Sequence, residues 1–169
     1  MGRIPVVTRV AGLAIAALAL AVDACRTTPP PGPASDRPAA LRVQVGRQWI
    51  GTHEATLRGD TLVVEVRPMM GSEPPSVTRV VPTAAAWRDF RGVVERAGVG
   101  AWPRECPNSG IVDGGGFSLE LAWGELRATS SGVNAYPRRD GSCRADGMYS
   151  DEMRDLLAAV SRLAGRPFP

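Results

Sequence analysis

The sequence predicts an α+β fold in which a single, mainly antiparallel sheet of about five strands packs against two helices. Two segments, 52–67 and 117–130, alternate apolar and polar residues on both sides of a tight-turn dipeptide, as β-hairpins do. Two others, 87–97 and 153–164, repeat apolar residues at helical spacing. We expect both helices to pack on the apolar face of the sheet.

Residues 1–24 are predicted to be a signal peptide. Arg3 and Arg9 supply a basic start, and residues 10–22 follow without a charge. This run is too short for a membrane-spanning helix, which needs about 20 apolar residues. The segment therefore indicates export.

The segment VDAC at 22–25 resembles the lipobox of bacterial lipoproteins, although Asp23 is atypical between its valine and alanine. The resemblance implies that Cys25 receives a diacylglyceryl group and becomes the mature N-terminus. The chain would then be lipid-anchored in the cell envelope, facing the periplasm or the exterior. Two alternatives remain open: ordinary signal-peptidase cleavage at 19–21, which gives a secreted or periplasmic protein, and an uncleaved anchor.

Residues 25–40 are predicted to form a tether between the lipid and the fold. Segment 26–40 contains five prolines and no aromatic residue. Such a composition is extended and semi-rigid, at about 3 Å per residue. We expect a single domain, 41–169, to follow it.

The domain is predicted to begin with a short strand around 43–45 and a hairpin whose loop is 59–60. This register makes one side of the hairpin apolar. It also sets Glu54 opposite Glu65, which is unfavourable unless a neighbouring arginine such as Arg67 relieves the repulsion. Two alternatives follow: an arginine pairs with one of these carboxylates, or the hairpin has a different register.

Each predicted helix is bounded by residues that favour its ends. A strand at 76–81 leads to Thr83, a suitable N-cap for the first helix, and Gly98 ends that helix. Ser150 caps the second helix and Gly165 ends it. The two helices are therefore well delimited by local sequence.

A long connection leads from the first helix to the second hairpin. Its stretch 113–116 is rich in glycine but lacks the lysine and hydroxyl residue of a phosphate-binding loop, which predicts a flexible lead-in. We expect 123–124 to form the hairpin loop, which sets Glu120 opposite Arg127.

Lipidation of Cys25 would leave Cys106 and Cys143 as a pair. Both belong to loops that leave the same end of the second hairpin, so we expect a disulfide between them. The alternative is two free or buried thiols. A zinc site is not expected, because no CxxC motif exists and His53 is the only histidine.

The segment SGVNAYP at 131–137 lies between an alternating strand and an amphipathic helix, and this arrangement resembles a pattern in small bacterial domains of unknown function. Those domains carry a tryptophan before a long loop, a DG segment, a strand, a G-x-N-A-Y-P turn and a terminal helix. The matching parts, all within 83–163, are Trp102, 113–114, 117–121, 132–137 and 153–163. The resemblance implies no activity. The insertion 138–147 departs from the pattern.

The GVNAYP turn has a structural explanation, since Asn134 tolerates a left-handed backbone, and Tyr136 can bury its ring and satisfy its hydroxyl at the sheet edge. The functional alternative is that Asn134 and Tyr136, with Arg138, Arg139 and Arg144, line a shallow site for an anionic group or a partner protein. A solvated loop is the simpler explanation for the three arginines.

No catalytic motif supports an enzyme, since GxSxG, HExxH and phosphate-binding loops are missing and His53 stands alone. We expect no cofactor and no metal. The net charge of +3 is too small to indicate nucleic-acid binding. The sequence thus predicts a non-enzymatic cell-envelope lipoprotein, a binding or accessory module for an envelope protein or a glycan. The alternatives are a structural lipoprotein of an envelope assembly and a hydrolase that depends on carboxylates alone.

Overall fold

A computed structural model describes residues 36–47, 51–69, 73–107, 110 and 113–169. The predicted signal peptide, Cys25 and residues 26–35 of the predicted tether lie outside these ranges. The strands are β1 (Ala40–Arg47), β2 (Gly51–Arg58), β3 (Thr61–Pro68), β4 (Ser76–Val80), β5 (Glu105–Cys106), β6 (Gly115–Trp123), β7 (Leu126–Val133), β8 (Tyr136–Pro137) and β9 (Cys143–Arg144). The helices are α1 (Ala84–Arg96), a short 3₁₀ helix (Val99–Ala101) and α2 (Asp151–Ala164).

The main sheet has seven strands in the order β4-β3-β2-β1-β6-β7-β5, and β8 pairs with β9 in a separate two-stranded sheet. The predicted α+β class, the two helices and the mainly antiparallel sheet are confirmed. The predicted count of about five strands is wrong, and the sheet is mixed because β5 runs parallel to β7. A two-residue strand carries no alternation that a sequence pattern could reveal. The segment just before β5 is held against β7 by a hydrogen bond: Ser130 Oγ in β7 donates to the carbonyl of Pro103 at 2.7 Å.

The first hairpin has the predicted register. Glu54 lies opposite Glu65 in the pairing of β2 with β3. Two arginines relieve the repulsion: Arg42 lies 3.2 Å from Glu54 and Arg67 lies 2.7 Å from Glu65. The like-charged pair therefore persists because each carboxylate has its own cation.

The second hairpin turns one residue later than predicted. Its loop is Gly124-Glu125, so that Trp123 pairs with Leu126 and Glu120 faces Thr129 instead of Arg127. Gly124 takes the left-handed φ of 57° that the turn needs. The shift keeps Trp123 in the strand, where its side chain is buried. Because each partner moves by two residues, every side chain stays on its predicted face.

The core lies between one face of the main sheet and both helices. Trp123 contacts the rings of Trp87 and Phe90 in α1, with centroids 6.1 and 6.2 Å away. His53 of β2 contacts Phe168, which follows α2, at 5.9 Å. The helices also contact each other. Both helices therefore pack on the same face, as the sequence predicts.

The helix ends follow the predicted caps. The hydroxyl of Thr83 accepts a hydrogen bond from the backbone N–H of Ala86 at 3.1 Å. The hydroxyl of Ser150 accepts from the backbone N–H of Met153 at 3.2 Å and donates to the carbonyl of Pro137 at 2.5 Å. Ser150 therefore caps α2 and joins it to the two-stranded sheet.

The opposite face of the main sheet is polar. The strand registers place Arg42, Gln44, Glu54, Ser118 and Thr129 on it. Within the described ranges no helix packs on this face, because both helices contact the apolar side. We call it the open face.

Candidate functional site

Residues 134–137 of the GVNAYP segment, for which the sequence left a structural and a binding role open, are buried, whereas Val133 is exposed. Asn134 and Tyr136 are both 0 % exposed. Asn134 has a φ of 55° and is the one non-glycine residue with a positive φ in the described part of the chain. The predicted left-handed asparagine is therefore confirmed, and its side chain lies inside the fold.

Asn134 joins two segments that precede and follow it in the sequence. Its backbone N–H donates to the carbonyl of Gly115 at 2.8 Å, and its carbonyl accepts from the N–H of Gly147 at 3.1 Å. A Cβ at Gly114 would lie only 1.4 Å from the side-chain oxygen of Asn134. Gly114 is therefore required by close packing, and the glycine-rich stretch does more than provide the flexible lead-in predicted for it.

Tyr136 contributes a buried ring and a buried hydroxyl. Its ring centroid lies 5.7 Å from that of Phe117 and 4.7 Å from that of Tyr149. The prediction that its hydroxyl is satisfied at the sheet edge is wrong, because the hydroxyl is buried without a hydrogen-bond partner among the described residues. Burial, with a smaller contribution from Tyr149, raises the pKa of Tyr136 to about 12. The phenol therefore stays neutral at physiological pH.

Two arginines of the predicted site lie on the loop between β8 and β9, and the third, Arg144, is half-buried in β9 itself. Arg138 and Arg139 are exposed, and neither is ion-paired with a described carboxylate. Arg144 instead pairs with Asp146 at 2.8 Å. The hydrogen bond from Arg144 lowers the pKa of Asp146 to about 2, so this pair holds across the physiological range.

This loop is held in place by its own polar contacts. Ser142 donates to Asp140 from its backbone N–H at 2.9 Å and from its hydroxyl at 2.6 Å. The backbone N–H of Arg139 donates to Glu152 of α2 at 3.1 Å. The five candidate binding residues therefore divide into a buried pair and an exposed arginine loop. Their binding role stays a prediction.

The predicted disulfide between Cys106 and Cys143 is confirmed. The two sulfurs are 2.07 Å apart and the Cα atoms 5.7 Å apart. The bond joins β5, at the edge of the main sheet, to β9 of the two-stranded sheet. It therefore fixes the long connection after α1 to the arginine loop.

The sequence does not reveal a groove of about 370 Å³ on the open face. Gly46 of β1 and Gly116 of β6 lie directly opposite each other and form its floor. Ser118, Ser131 and Glu105 line it together with the apolar Phe117 and Val133. No sequence pattern could find this site, because the two glycines meet only when β1 pairs with β6.

Neither metal coordination nor a membrane span is found in the part of the chain that the structure describes. That part contains no group of three or more His, Cys, Asp or Glu residues that could hold a metal ion. No helix there is both long and apolar enough to cross a membrane.

In comparisons with known proteins, no family model and no curated protein matches this chain. The resemblance to small bacterial domains with a G-x-N-A-Y-P turn therefore stays a prediction.

Replacing both Cys106 and Cys143 by alanine should lower the free energy of unfolding by about 4 kcal/mol. The bond closes a 37-residue separation, and the chain-entropy relation gives this magnitude. Chemical denaturation with and without a thiol reductant measures it. The wild type should lose stability in reductant, whereas an equal loss in the double variant would contradict an intact disulfide.

Replacing Tyr136 by phenylalanine should make stability less dependent on alkaline pH. The pKa of Tyr136 is about 12 in the folded protein and 10.0 ordinarily. The free energy of unfolding is therefore unaffected by this group below pH 10 and falls as the pH rises from 10 towards 12. At neutral pH the variant should be at least as stable, because the removed hydroxyl has no described partner. Denaturation across this range tests both statements. Tyr149→Phe is the control and should keep the alkaline loss.

Proposed function

We propose that this chain is a non-enzymatic binding module of the bacterial cell envelope, anchored by a lipid on Cys25. The observation that carries the proposal is the Cys106–Cys143 disulfide, since such bonds persist in oxidising compartments and are rare in the cytosol. It agrees with the basic start, the uncharged run and the lipobox-like segment that precede the fold.

The way the chain enters the fold supports a presented binding surface. Pro38 is buried, and the backbone N–H of Ala39 donates to the carbonyl of Ala122 at 2.7 Å. The predicted tether therefore joins the start of β1. Gly46 lies six residues further along this strand, about 20 Å away at the usual rise per residue. The groove is thus at the opposite end of β1 from the point where the chain enters this strand.

The chemistry of the groove favours binding without catalysis. Ser118, Ser131 and Gln44 offer neutral hydrogen-bonding groups along a floor that has no side chains. Glu105 is the one carboxylate among its described lining residues, whereas glycoside hydrolysis ordinarily uses two. A neutral polar ligand suits this surface, and a glycan of the envelope is the partner we propose. An envelope protein at Arg138 and Arg139 is the alternative.

Mass spectrometry of protein purified from the envelope tests the anchor. The N-terminal peptide should begin at Cys25 and carry a diacylglyceryl group. Cys25→Ser should move the protein from the membrane fraction to the soluble fraction, while Ser35→Ala, a change within the predicted tether, should leave it in place. A mature protein that begins at Val22 without lipid would contradict lipidation.

Co-sedimentation with isolated cell-wall sacculi tests the groove. Gly116→Leu should weaken binding at least about tenfold, because a side chain there would occupy the space above the groove floor. A tenfold increase in Kd corresponds to a loss of about 1.4 kcal/mol of binding free energy. A Cβ at Gly116 meets no atom closer than 3.4 Å, so the fold should tolerate the change. Ala122→Leu places the same side chain on the same face of β6 and should bind normally. Equal binding by wild type and Gly116→Leu would exclude the groove.

A further inference from the structure

A second cavity lies at the ends of β1 and β2, on the core side of the sheet. Its volume is about 180 Å³, and Val45, Arg47, His53 and Tyr149 are among its lining residues. For comparison, each molecule in liquid water occupies about 30 Å³. Strand alternation puts Arg47 on the same face as the buried Val45, and the register sets His53 opposite Val45. The cavity is therefore on the other side of the sheet from the groove.

The walls of this cavity are fixed by packing. Val45 is buried, and the His53 ring meets the ring of Phe168 edge-on. The backbone N–H of Phe168 donates to the hydroxyl of Ser161 at 2.9 Å, which holds this segment against α2. The Tyr149 ring packs against that of Tyr136. The cavity is thus largely formed before any ligand binds, as small-molecule sites usually are.

Two buried polar atoms at this place have no hydrogen-bond partner among the described residues. They are Nδ1 of His53 and the hydroxyl of Tyr136, and both are closed to solvent; His53 is a lining residue of the cavity, whereas Tyr136 lies behind its wall. A Cβ at Gly115 would lie 3.0 Å from both that hydroxyl and Cγ of Arg47, so the hydroxyl lies beside the arginine stem. Each unsatisfied group of this kind costs about 1 to 3 kcal/mol.

The charged group of this cavity is Arg47, an exposed arginine at its mouth. The Arg47 guanidinium lies 5.0 Å from the centroid of the Tyr149 ring, and no described carboxylate is ion-paired with it. Burial, and then the nearby Arg166, lower the pKa of His53, so the imidazole is neutral at physiological pH. Arginine offers forked donors that match a carboxylate.

We propose that this cavity binds a small monocarboxylate with an apolar body, of about the size of benzoate. Both oxygens of the carboxylate accept from the forked donors of Arg47. The body of the ligand contacts Val45 and the Tyr149 ring. A phosphate fits less well, because its greater charge would have to be dehydrated against apolar walls. The inference does not depend on the lipid anchor or on the groove.

Proton NMR of His53 tests the proposal with sodium benzoate as the probe. This residue is the only histidine, so its imidazole signals are unambiguous. Benzoate should shift them saturably, with a Kd of about 1 mM or tighter for a ligand of this size. Benzamide, which has the same shape without the charge, should produce no saturable shift. A competing addition of inorganic phosphate should not displace benzoate.

Arg47→Gln should raise the Kd for benzoate at least about tenfold, the loss expected for a charged hydrogen bond. Arg58→Gln removes an exposed arginine at the far end of β2 and should leave the Kd unchanged. Arg47→Lys, which keeps the charge but loses the fork, should give an intermediate Kd and remains informative if the glutamine variant does not fold. Equal shifts with benzoate and benzamide, displacement by phosphate, or an unchanged Kd in folded Arg47→Gln would each overturn the proposal.

Discussion

β1 and β6 pair antiparallel along Ala40–Arg47 and Gly115–Ala122, although residues 48–114, about half of the domain, separate them in the sequence. Every other part of the sheet is added to this pair by neighbouring segments: β2, β3 and β4 on one side, β7 and β5 on the other. Closing such a long loop costs entropy that only later contacts repay. The same pairing produces both candidate sites, because it brings Gly46 opposite Gly116 on one face and Arg47 opposite Gly115 on the other.

The features that could be predicted from the sequence are those that local chemistry determines. The first hairpin register, the caps at Thr83 and Ser150 and the disulfide follow from turn residues, helix-end residues and a count of cysteines. The loop of the second hairpin could not be placed correctly, because the burial of Trp123 against α1 is a tertiary contact. The strand β5 escaped prediction because two residues carry no periodic pattern.

The candidate site shows a different limit of sequence reasoning. Asn134 and Tyr136 have side chains that suit binding as well as structure, and only burial distinguishes the two roles. The fold uses Asn134 to close the start of β6 against the segment that leads to α2, which also explains why a glycine is needed at 114. The groove and the second cavity depend on pairing between distant strands. The sequence around each strand therefore could not predict that Gly46 lies opposite Gly116, or that Arg47 contacts Tyr149.

The chain enters the main sheet through β1, which is the middle strand of the seven. A force applied through the proposed tether would therefore act along a strand that is hydrogen-bonded on both sides, to β2 and to β6. Its ladders would be sheared together, whereas an edge strand can be peeled away one bond at a time. This attachment suits a domain that must keep its shape while its two ends are held by different structures.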